Sequence, residues 1–144
     1  MKRILILVVA LMAVSINVNA RDTKHLMSIE SAMARADFKE RLNSSVRFYF
    51  GDQAHPTPTQ RFGERVTSKK TNGFNKTDRE SCEWVLLSAL LALEKSAIAA
   101  GGNAVVNIRS FYNKNAFSST TEYECHTGAI ITGVALTGDV VKLP

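Results

Sequence analysis

The chain has 144 residues, 45% hydrophobic and 22% charged, with 18 lysines and arginines against 13 aspartates and glutamates, a formal charge of +5. That length suffices for one compact domain. Acids and bases are interspersed along it, without the concentrated basic face that binding a phosphate backbone requires, so nucleic acid is excluded as an expected partner.

Met1 to Ala20 opens on Lys2 and Arg3, continues as ILILVVALMAV and ends in NVNA, the three-part layout of a cleaved secretory signal. Its apolar run is about eleven residues long, short of the roughly 20 that a bilayer span needs. Arg21 and Asp22 stand where a lipoprotein would carry its cysteine. The expectation is a signal peptide at 1–20 and a single domain at 21–144, with neither membrane span nor lipid anchor. Without Lys2 and Arg3 the formal charge is +3, and the location is periplasmic or secreted.

MSIESAMARADFKERL, Met27 to Leu42, predicts one peripheral helix: Ser28 caps, Glu30 suits the first turn, and Ile29, Met33, Ala36 and Phe38 supply a modest apolar stripe. VRFYF, Val46 to Phe50, alternates as a strand. GDQAHPTPTQ has loop composition, and ERVTSKKT after it suits a polar edge strand.

The strongest element opens at Thr77, where TDRE matches the capping box that pairs Thr77 with Glu80. A helix from Asp78 to Ala100 follows, apolar around most of its circumference, with Trp84 expected in the core. Gly101 and Gly102 come after this helix and before a strand, so they are not a phosphate loop, which joins a strand to a helix. Gly101 instead fits the left-handed cap that satisfies a helix's last carbonyls, and that helix end repels anions. NAVVNIRSFY and TTEYECHTGAIITGVAL then predict an antiparallel C-terminal hairpin packed on the long helix, its second arm bent by Gly128 and Gly133. The expected fold class is therefore α+β, one central helix on an antiparallel sheet.

Cys82 and Cys125 are the only cysteines, and in an oxidising compartment they are expected to pair. The bridge would close a loop of about 40 residues, for which chain entropy gives about 4 kcal/mol.

The run from Cys82 through the long helix, the turn Gly102-Asn103-Ala104 and a hairpin carrying Cys125 resembles a small α+β unit shared by two bacterial families. These are the Rcs-pathway envelope-stress sensor lipoproteins and the YbjQ-like group, often labelled heavy-metal-binding. The resemblance spans 81–136, and the second disulfide and lipidated cysteine of the sensor family are missing here. The chain is also similar along its length to small exported bacterial proteins sometimes named as an excinuclease ATPase subunit. It has no Gly-x4-Gly-Lys-Ser/Thr loop and no Cys-x-x-Cys pair, so neither nucleotide binding nor a zinc site of that kind is expected.

Glu122, Glu124 and His126 alternate onto one strand face, neighbours about 7 Å apart at the backbone, and carboxylate with imidazole suits zinc or copper. The plainer reading of that face is solvated. No Gly-x-Ser-x-Gly or His-Glu-x-x-His occurs. The leading functional expectation is an exported, disulfide-stapled domain without enzymatic activity or cofactor, binding an envelope protein or a small ligand. The alternatives are a zinc or copper module on Glu122, Glu124 and His126, and a small hydrolase-like enzyme built from the loop around His55 and the hairpin.

Overall fold

The computed structural model describes residues 21–144, so the signal peptide expected at 1–20 lies outside the described residues. The chain forms β1 (Thr23–Ser28), α1 (Ile29–Met33), α2 (Ala36–Arg41), β2 (Arg47–Phe50), β3 (Gln60–Asn72), α3 (Asp78–Ala100), β4 (Ala104–Tyr112), β5 (Asn115–Phe117), β6 (Glu122–Thr127) and β7 (Ile131–Lys142). It is an α+β fold in which the long helix α3 packs on one curled sheet.

Helix α3 keeps the expected bounds because both ends are chemically marked. Thr77 Oγ1 accepts the Glu80 amide at 3.1 Å, which is the threonine half of the capping box; the return bond from the Glu80 carboxylate is not formed. Gly101 takes the left-handed conformation, φ 85°, and its amide donates to the carbonyls of Ala97 and Ile98. Between the caps Val85, Leu86, Leu87, Leu90 and Leu93 are buried, joined in one core by Val105, Ile108, Val134, Leu136 and Val140 from the sheet. Burying each such side chain contributes about 1.5–3 kcal/mol. Trp84 departs from expectation: it is 45% exposed, with the Arg41 guanidinium 5.4 Å from its ring centroid. At its place on the helix circumference no sheet strand lies over it.

The sheet is mixed rather than antiparallel. Its path runs β1-β6-β7-β4-β2, with β3 along the free side of β7 and β5 on β4. β2 and β4 are parallel, since α3 returns the chain to the end at which β2 began. β3 is the polar edge strand expected from its lysines, extended to thirteen residues and paired with β7 from end to end but for a bulge at Phe62.

The expected hairpin is divided differently. Its second arm breaks at Gly128, whose amide closes a turn onto the Ile131 carbonyl at 2.7 Å. The arm thus becomes two strands, β6 and β7, and β4 pairs with β7. A bulge at Asn107, φ 51°, falls between Val106 and Arg109, where β4 slips past β7.

The N-terminal segment also differs. Thr23–Ser28 is a strand paired with β6 across its length, and the expected helix is two short ones. Ser28 does cap, accepting the Ser31 amide at 3.1 Å. The break falls at Arg35, whose backbone is extended and whose Nη1 reaches the buried Glu83 of α3 at 2.8 Å. Nor is the segment peripheral, because Ile29, Ala32 and Phe38 belong to the main core.

Candidate functional site

Cys82, in the first turns of α3, and Cys125, in β6, are joined by a disulfide. The bridge ties the helix to the strand that carries Glu124 and His126, and both cysteines are fully buried. It is a staple consistent with an oxidising compartment. Among the described residues no helix is long and apolar enough to cross a membrane.

The face of β6 brings Glu124 and His126 together and leaves Glu122 apart. His126 Nε2 lies 2.5 Å from Glu124 Oε1, and its Nδ1 lies 2.9 Å from Asp22 Oδ1. The Tyr112 ring is stacked on the imidazole, centroids 3.5 Å apart and planes 7° from parallel. Burial, then the charges of Asp22 and Glu124, push the Tyr112 phenol above its ordinary pKa. Glu122 is exposed at the start of β6, opposite Ser28. Among the described residues no three His, Cys, Asp or Glu side chains gather closely enough to hold a metal ion. A metal ion at His126 would have to displace one of its two carboxylate contacts. Asp22 and Tyr112, the partners that complete this cluster, carry no local sequence signal because they arrive from the chain start and from β4.

His55 is engaged locally, with Nδ1 2.8 Å from the Pro56 carbonyl and its ring 5.4 Å from the Tyr49 ring.

A different arrangement forms between the α1–α2 segment and β2. Two buried carboxylates of α3 hold that segment in place: Glu83 takes Arg35, and Glu94 accepts the Asn43 amide at 2.7 Å. Beneath it runs a groove of about 470 Å³ lined by Met33, Phe38, Leu42, Val46, Phe48 and Tyr49, with Lys39 and Arg47 also on its wall. A second groove of about 400 Å³, bounded by Ile29, Gln53 and Thr121, shares Met33 and Phe48 with the first. The two adjoin at Met33 and Phe48 and together form the channel region beside β2, a strand paired on one side only. Apart from Thr120 its half-buried side chains are apolar; Lys39 and Arg47 are exposed on the wall of the first groove and Glu30 on that of the second. Sequence reasoning identified β2 but not the channel, since its walls come together only when α1 and α2 fold back.

No protein-family model, curated protein or solved structure matches the chain.

Proposed function

We propose that the protein is an exported, non-enzymatic, disulfide-stapled domain that binds an extended peptide segment of an envelope protein in the channel beside β2. The observation that carries this reading is the coincidence of an open sheet edge, an apolar channel and a helical wall. An extended peptide can add to such an edge through its main chain while alternate side chains enter the channel. Lys39 and Arg47 favour an acidic residue in the bound segment, because charge complementarity selects partner and register. The sequence resemblance of residues 81–136 to envelope-stress sensors accords with such a location.

Selection of random-sequence peptides against the oxidised protein tests the reading. The selected peptides are expected to share alternating apolar residues beside an acidic one. They should bind the Lys39→Glu/Arg47→Glu variant at least about tenfold more weakly, as two lost charge contacts imply. Enrichment of basic peptides, or equal binding to the variant, would count against it.

A further inference from the structure

One end of the molecule carries an exposed apolar tip made by two adjacent loops. Phe74, in the β3–α3 loop, is 65% exposed, and Ile130 and Ile131, at the β6–β7 turn, are 54% and 49% exposed. The loops are fastened together: the Gly73 amide donates to the Ile130 carbonyl at 2.6 Å, and Asn72 pairs with Ile131. Three large apolar side chains on bound neighbouring loops are more than the scattered exposure usual on a soluble surface.

Cations surround this tip. Lys69 and Lys70 lie on β3 two to three residues before Asn72, on opposite faces of the strand, and both are exposed. Lys76 follows Phe74 by two residues, its Nζ donating to the Asn72 carbonyl at 3.2 Å. Arg21 lies beside Gly128, whose added Cβ would stand 3.2 Å from the Arg21 carbonyl. Of the nearby carboxylates Asp78 is engaged by Arg21 and Asp22 by His126, which leaves Glu80, beside Lys76, as the unpaired acid on this side among the described residues.

We infer that this end docks on an anionic lipid surface, with Phe74, Ile130 and Ile131 entering the headgroup boundary and Lys69, Lys70 and Lys76 meeting phosphates. Apolar insertion flanked by basic residues is how peripheral domains hold a bilayer interface, and the attraction falls off within a Debye length. A protein partner would also cover apolar side chains, but long lysine side chains on both faces of β3 and on the loop after it suit a laterally fluid anionic surface better than one fixed register. The peptide channel uses none of these residues, so the two proposals stand or fall separately.

Co-sedimentation with vesicles tests the inference, using phosphatidylcholine alone and phosphatidylcholine mixed with phosphatidylglycerol. Binding is expected only to the anionic vesicles and should weaken steeply when salt is raised. A Lys70→Gln/Lys76→Gln variant should partition about tenfold or more less strongly. A Phe74→Ser/Ile130→Ser variant should lose binding while its thermal unfolding stays unchanged, because both side chains are exposed. Equal partitioning to the two vesicle types, full binding by either variant, or no binding to anionic vesicles at low salt would overturn it.

Discussion

Asn103 follows the glycine pair that ends α3, and its contacts join three parts of the fold. Its amide donates to the Val141 carbonyl and its own carbonyl accepts the Arg47 amide, each at 3.0 Å. Its side chain takes the Leu143 amide at 2.7 Å and donates to the Leu143 carbonyl at 3.0 Å. Asn103→Ala would strip both side-chain bonds from a half-buried residue, and should cost about 1–3 kcal/mol in denaturant unfolding. Tyr123 makes the opposite case. Its hydroxyl is the one buried side-chain polar atom among the described residues with no hydrogen-bond partner, and burial pushes its phenol well above the ordinary range. Tyr123→Phe should therefore leave stability unchanged or raise it by about 1 kcal/mol; a loss beyond that would reveal a partner for the hydroxyl.

Charge adds a pH signature at the same scale. The hydrogen bond from Arg35 holds Asp37 below the ordinary carboxylate range. A carboxyl whose folded pKa is depressed contributes stability above its unfolded pKa and loses that contribution as pH falls through the folded value. The stability gap between the wild type and Asp37→Asn should accordingly be fullest near neutrality and vanish in acid, as read from urea unfolding at a series of pH values. A gap that persists unchanged into acid would mean that the Arg35 contact does not depend on the carboxylate charge.

At the scale of elements, what was legible in the sequence was what local chemistry decides. Thr77 and Gly101 mark both ends of α3 by side-chain capping and a left-handed turn, and β3 announces itself through edge lysines. The helix expected over Met27 to Leu42 failed because its break depends on Arg35 finding Glu83, 48 residues away, and no local propensity encodes that. β1 was missed because its pairing partner, β6, lies a hundred residues on. The Cys82–Cys125 bridge, with 43 residues of separation, should stabilise the fold by about 4 kcal/mol on the chain-entropy account. Reduction or Cys82→Ser should lower the denaturant midpoint accordingly, and an unchanged midpoint under oxidising conditions would deny the staple its role. Gly102 sets a second limit, since an added Cβ would stand 2.8 Å from the Val141 carbonyl oxygen and 2.9 Å from Val140 Cγ1. Gly102→Ala should cost about 1–3 kcal/mol by overpacking the α3–β4 junction.

For the whole molecule, capping and hydrophobic periodicity gave the α+β class, and the two cysteines gave the staple across its core. The candidate site was less legible. Alternation placed Glu124 and His126 side by side, yet the groups that close around them, Asp22 and Tyr112, come from β1's approach and from the end of β4. The channel has no sequence signature at all, because Met33, Leu42 and Phe48 become neighbours only through the clasp that Glu83 and Glu94 make on the α1–α2 segment. On the proposed reading that clasp links fold to function: it holds an apolar wall beside the outer edge of β2, where, among the described residues, only the Phe50 amide is already taken, by Gln53, and a bound peptide would meet two cations.

Amide hydrogen exchange of the oxidised protein, with and without a peptide recovered by selection, tests the peptide-binding account most directly. Slowed exchange centred on Phe48 is the result expected from strand addition in the channel, since the Arg47 and Phe50 amides already bond Asn103 and Gln53. Protection on the β6 face around His126 instead, or none along β2, would contradict it.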